Sequence, residues 1–199
     1  LPVKPSRGWG MIDIASPLRL RLDSAALVSN WRWLAAQGGK ACGAAIKADG
    51  YGLGARDVMH HLAAAGCRDF FVASWNEAAA LMPLAGDVSL SVLHGVGASD
   101  MVAARTLPAR PVLCSVEQAW RWREGGEGRP CDVMVDTGMN RLGLRPEEAA
   151  SGALDGLAIE TLLSHLASAD EDSEQNARQL TAFRAVRARV PARRYSLAN

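Results

Sequence analysis

Lys47 closes a short apolar run, Ala44-Ala45-Ile46-Lys47, and a glycine-punctuated stretch with one tyrosine follows at once: Ala48-Asp49-Gly50-Tyr51-Gly52-Leu53-Gly54. An apolar run ending in lysine reads as a buried strand whose last residue reaches the rim of a sheet. Two readings compete for such a lysine. With its stem packed and its ammonium in water, it is an ordinary rim residue. A lysine held dry at a strand end instead loses hydration, which disfavours its charged form and frees the amine to attack a carbonyl carbon. Such an amine can hold an aldehyde cofactor as an imine. Gly50, Gly52 and Gly54 would let backbone N–H groups approach an anion, and a helix beginning near Arg56 would point its positive end at it.

Three other stretches carry residue types fit for chemistry. Asp136-Thr137-Gly138-Met139-Asn140-Arg141-Leu142-Gly143 is a glycine-punctuated loop after a strand, a natural way to aim the Arg141 guanidinium at a carboxylate or phenolate, or else a turn with a surface arginine. Ser164-His165-Leu166-Ala167-Ser168-Ala169-Asp170 places one histidine after an apolar strand, where a hydrogen-bonded core histidine is the plainer account. Ser196-Leu197-Ala198-Asn199 is polar only at its ends and says little alone. Gly50-x-Gly52-x-Gly54 lacks the spacing and the downstream acid of a dinucleotide fingerprint. His60-His61 lack a His-Glu-x-x-His pattern, so a metal site is not expected. The acidic residues from Asp170 to Glu174 precede a helix, whose dipole favours them there. Arg121 to Arg129 read as a solvated loop.

The elements that must position these residues alternate regularly. Strands are expected at Arg19–Leu22, Ala41–Lys47, Asp69–Ala73, Val88–His94, Pro111–Cys114, Cys131–Asp136, Leu157–Ser164 and Tyr195–Ala198. Helices fall between them. The first is capped near Asp23 or Ser24, carries Leu27, Trp31 and Leu34 on one face and stops at Gly38-Gly39. Ser74-x-x-Glu77 and Ser115-x-x-Gln118 read as capping boxes, and Pro146 suits a first helical turn. The last helix presents Leu180, Phe183, Val186 and Val190. Such a rhythm requires a parallel sheet with helical crossovers. A doubly wound sheet and a barrel both fit, and the barrel is preferred because Lys47, His94, Asp136, His165 and Asn199 all fall at or just beyond strand ends, which in a (β/α)8 barrel converge on one face. The expected fold is thus an incomplete TIM barrel of about seven strands, with an irregular segment over 1–18, a leading strand and helix over 19–40, and the barrel over 41–199.

Composition narrows the partners. The chain has 199 residues, 49% of them hydrophobic, enough for a sizeable core. Lys plus Arg number 22 against 21 Asp plus Glu. Neither nucleic acid nor an anionic membrane would find a basic field here, so a small molecule or a protein is the expected partner. Cys42, Cys67, Cys114 and Cys131 are widely spaced with no Cys-x-x-Cys, the pattern of core thiols in a reducing compartment. No signal-peptide core or membrane span is evident, and a cytoplasmic location is expected. The opening Leu1-Pro2, in place of methionine, suggests a fragment, with Met11 as an alternative start.

Taken together, the motifs resemble a family. Ala45-Ile46-Lys47-Ala48-Asp49-Gly50-Tyr51-Gly52-Leu53-Gly54 resembles the cofactor-lysine signature of the alanine racemases, which use pyridoxal 5′-phosphate. Asp136 to Gly143 is similar to their second signature, and His165 to Asp170 to their third. The resemblance is collinear from about Arg19 to Asn199. It implies that Lys47 holds the cofactor aldehyde as an imine and serves as acid/base on one face of the substrate, that Tyr51 bonds the phosphate, and that Arg141 contacts the cofactor phenolic oxygen near the substrate carboxylate. His165 would support the network behind the pyridine ring, and Asn199 would lie beside the phosphate. It further implies a β-rich C-terminal domain beyond Asn199, a head-to-tail homodimer, and a second base, a tyrosine, from that domain of the partner subunit. One departure stands out: where many members carry a lysine that becomes carbamylated and orients the arginine, this chain has Met134. The alternatives are a one-domain pyridoxal phosphate carrier or regulator, a serine or broad-specificity racemase, and a decarboxylase or aldolase on the same barrel.

Overall fold

The protein is described by a computed structural model covering residues 20–38, 41–84 and 86–198. Seven strands run β1 (Ala44–Ala45), β2 (Asp69–Val72), β3 (Ser89–Val92), β4 (Arg110–Leu113), β5 (Cys131–Met134), β6 (Ile159–His165) and β7 (Arg194–Ala198). Each pairs in parallel with the next, so sheet order equals chain order. Helices Ser24–Gly38, Ala55–Ala65, Trp75–Ala80, Met101–Thr106, Val116–Gly125, Pro146–Ala149 and Glu174–Arg187 intervene. Ser74 and Ser115 cap their helices as expected, accepting from the N–H groups of Glu77 and Gln118, each at 3.3 Å.

The sheet is rolled into a barrel wall, and one contact demonstrates it. Arg194 at the start of β7 donates two hydrogen bonds, both 2.8 Å, to the Asp69 carboxylate at the start of β2. Strands lie about 4.8 Å apart, so β2 and β7 in a flat sheet would be separated by about 24 Å. Only curvature brings them together. Strand alternation then divides the residues between two faces. On the outer face Phe70, Val72, Leu90, Val92, Leu113, Val133 and Leu162 are fully buried against Val58, Leu62, Trp75, Trp122, Phe183 and Val186 from the helices. The inner face has tiers. At the strand starts, Ser89 Oγ donates to Asp69 (2.7 Å), Arg110 donates to Ser89 (3.3 Å) and to Asp132 (3.4 Å), and Ser91 Oγ donates to Asp132 (2.6 Å). Above them Val112, Cys114, Met134 and Leu163, with Phe71 and Leu93, form a small apolar layer. The polar residues at the strand ends sit on the rim beyond that layer.

Several expectations are corrected. Residues 20–23 are irregular rather than a leading strand, and Arg19 lies outside the described residues, as does all of 1–18. The strand expected over Ala41–Lys47 pairs only at Ala44–Ala45; the Ile46 N–H still bonds the Phe71 carbonyl (2.8 Å), after which the backbone turns sharply. The Ser24–Gly38 helix rests on the core through Leu27, Val28 and Trp31, whereas Leu34 faces solvent. In the last helix Leu180 is exposed, and Gln179 occupies the buried position in its place. Arg121 to Arg129 is not a solvated loop: its first half is helix, and Arg121 and Arg129 donate to the Val96, Arg105 and Leu107 carbonyls.

Candidate functional site

Lys47 is half-buried at the C-terminal rim and opens a turn of unusual hand. Ala48 (φ 51°, ψ 49°), Asp49 (φ 52°, ψ 48°) and Gly50 (φ 65°, ψ 36°) are left-handed, and Tyr51 (φ 56°) and Gly52 (φ 84°) also have positive φ. Left-handed backbone costs an ordinary residue roughly 1–2 kcal/mol, so three such non-glycine residues in one turn require outside support. Asp49 gives some: its Oδ1 accepts the Ala55 N–H at 2.8 Å, which ties the turn to the start of the Ala55–Ala65 helix. Glu77 gives the rest. Its Oε1 accepts the Ala48 N–H (3.0 Å) and its Oε2 the Ala73 N–H (2.7 Å). The expected capping box is therefore only half realised, because the carboxylate serves the turn and the end of β2. Lys47 Nζ lies 5.9 Å from the centre of the exposed Tyr51 ring.

The glycines do not form the expected anion cradle. Gly50 N–H bonds Ile46 O, Gly52 N–H bonds the Ala48 and Asp49 carbonyls, and Gly54 N–H bonds Asp49 O. The first amide of the following helix is already held by Asp49. What Gly50 supplies is closeness, since a Cβ there would stand 3.2 Å from both Cα and N of Ala55.

The second loop is built around one carboxylate. Asp136 Oδ1 accepts from Gly138 N–H (2.9 Å) and Asn140 N–H (3.0 Å), and Oδ2 accepts from Arg141 N–H (3.1 Å). The Arg141 side chain is exposed and makes no hydrogen bond or ion pair with another described residue. Met134 lies in the apolar layer below, so no charged group at that position orients the guanidinium. His165 ends β6, half-buried and paired with Ala198 of β7. Gln179, fully buried, joins the two loops: its Nε2 donates to His165 O (2.9 Å) and to Thr137 Oγ1 (3.3 Å), and its Oε1 accepts from Ala167 N–H (2.9 Å). Thr137 Oγ1 also lies 2.7 Å from Ser164 Oγ. Asn199 lies outside the described residues.

Parallel pairing puts Lys47, Arg141 and His165 at the same end of the sheet, the end where sites are built in such barrels. Gln179 and Glu77's true partners were not recognised in the sequence. The signal for Gln179 was there, since it precedes Phe183 and Val186 at intervals of four and seven on the buried helix face. The thiols are not reactive candidates: burial pushes Cys67 up to about 11 and Cys114 and Cys131 to about 12.

Comparison with known proteins places the chain and its fold in a family. The family model described as alanine racemase, N-terminal domain, matches residues 22–199. An alanine racemase of Acidiphilium cryptum is 42% identical over 189 residues, 90% of this chain and 53% of the relative. One of Methylobacterium nodulans is 44% identical over 191 residues, covering 91% and 52%. The chain thus spans about half the length of these relatives. The crystal structure of an alanine racemase from Bartonella henselae, with covalently bound pyridoxal phosphate, superposes with a TM-score of 0.81 at 33% identity, over 89% of this chain and 55% of that one.

Proposed function

The chain belongs to the alanine racemase family through its N-terminal domain, and from that premise we propose that it is the barrel portion of a pyridoxal 5′-phosphate-dependent enzyme that interconverts L- and D-alanine. The observation that carries the reading is Lys47, held on the rim by a strained turn that two carboxylates support. The residues fit the cofactor in kind. An amine is available for its aldehyde and a guanidinium without an ion-pair partner among the described residues for its oxyanions. The Tyr51 hydroxyl is exposed for its phosphate, in place of the glycine amides, which are already bonded.

When bound, the cofactor supplies the electron sink that weakens the Cα–H bond of an amino acid. In this reading Lys47 Nζ would hold the cofactor through its aldehyde and would serve as the acid/base for the substrate α proton on one face. From a loop fixed by Asp136, the Arg141 guanidinium would hold the cofactor phenolic oxygen and the substrate carboxylate. Tyr51 and Asn199 would hold the phosphate, and His165 would support the pyridine ring. Racemisation needs a second acid/base group on the opposite face; we assign it to the remainder of the protein, in a homodimer. Four unpaired cysteines support a cytoplasmic setting, where D-alanine would serve cell-wall synthesis.

The test is made on the full-length protein. With pyridoxal 5′-phosphate it should develop a visible absorption band that Lys47→Ala lacks, and it should racemise either enantiomer of alanine. A Lys47-dependent band without turnover would identify a cofactor carrier instead. An unchanged band in Lys47→Ala would remove the lysine assignment.

A further inference from the structure

Glu77 is singled out by what its two oxygens touch. The Oε2 bond to Ala73 N–H is local, but the Oε1 bond to Ala48 N–H spans 29 residues and ends on the peptide joining Lys47 to Ala48. Ala48 is the first residue of the left-handed turn. Backbone in that region reverts to commoner conformations unless its surroundings hold it. The downstream end of the turn is held by Asp49 through Ala55. At the upstream end, Glu77 is the side chain that does so among the described residues.

We propose that Glu77 is a positioning residue for Lys47: by seating the Lys47–Ala48 peptide on the end of β2, it fixes the direction from which the lysine amine meets a cofactor aldehyde. This rests on the reading of Lys47 as the cofactor lysine. A carboxylate is the group the geometry asks for, because two acceptor oxygens meet two N–H donors. A primary amide of the same shape offers one oxygen and turns its NH2 toward the second N–H, donor against donor. Glu77→Gln therefore removes one support while keeping the side-chain volume and the Ser74 cap, which uses the Glu77 backbone N–H.

The experiment compares wild type and Glu77→Gln in the full-length protein, titrating pyridoxal 5′-phosphate and recording the visible band and its induced circular dichroism. The variant should keep the wild-type far-ultraviolet spectrum, bind the cofactor about tenfold or more weakly, the scale of one hydrogen bond to a charged group, and show altered induced dichroism at saturation. Equal affinity with equal dichroism overturns the proposal. If the variant does not fold, amide hydrogen exchange of the wild type decides: Ala48 N–H should be protected, and exchange at the rate of an unstructured peptide overturns the proposal. A wild type with no Lys47-dependent band overturns the proposed function and this inference together, which separates that failure from one of Glu77 alone.

Discussion

Ala48, Asp49 and Tyr51 hold positive φ without being glycine, and the groups that maintain this are the natural targets for substitution. Asp49→Ala removes the acceptor of the Ala55 N–H; loss of such a cap should cost about 1 kcal/mol in urea unfolding. An unchanged midpoint would show that the turn stands without it. Gly50→Ala should cost about 1–2 kcal/mol, because φ is +65° and the new Cβ meets the Ala55 backbone. The buried thiols, pushed to about 11 and 12, should resist alkylation at pH 8 in the native protein and react once it is unfolded; rapid native labelling of Cys114 or Cys131 would contradict their placement. At this scale the sequence marks Lys47 and Arg141 by their types and neighbours, and the structure sets both beyond the C-terminal ends of their strands. It was not legible for Glu77, because Ser-x-x-Glu is a sufficient local explanation and the Ala48 partner lies far upstream.

Strand and helix order could be read from periodicity, since buried parallel strands are short apolar runs bounded by capped helices. Their ends could not. β1 is two paired residues because the left-handed turn begins at once, and nothing in Ala-Asp-Gly-Tyr announces that hand. The last helix carries the clearest test at this scale. Gln179 satisfies both an N–H and a carbonyl of the His165 segment from a fully buried position. Gln179→Leu keeps the bulk and strips those partners, which should cost roughly 2 kcal/mol or more in chemical unfolding. Faster amide exchange at Ala167 should accompany it, and wild-type stability in the variant would show that the two loops are not tied through this side chain.

The curved sheet is held by charge as well as by apolar packing. Burial pushes the Asp69 carboxyl up, but the hydrogen bonds from Arg194 and Ser89 and the charges of Arg194 and Arg110 outweigh it and hold it below the ordinary carboxylate value. A group whose folded pKa is depressed stabilises the fold above its unfolded value, near pH 4, and that contribution is lost as pH falls through the lower folded value. Asp69→Asn should therefore be less stable than wild type at neutral pH, with the difference shrinking in acid; a difference independent of pH would contradict the ion-pair account. This contact joins residues 125 positions apart, so no local pattern could have announced it, although the strand rhythm that makes it geometrically available could be read. The central claim, that the rolled sheet exists to present Lys47 to a cofactor aldehyde, is tested most directly by borohydride reduction of the full-length protein with pyridoxal 5′-phosphate, followed by peptide mapping. The account predicts one stoichiometric pyridoxyl label on Lys47. A label distributed over other lysines, or none, would contradict it.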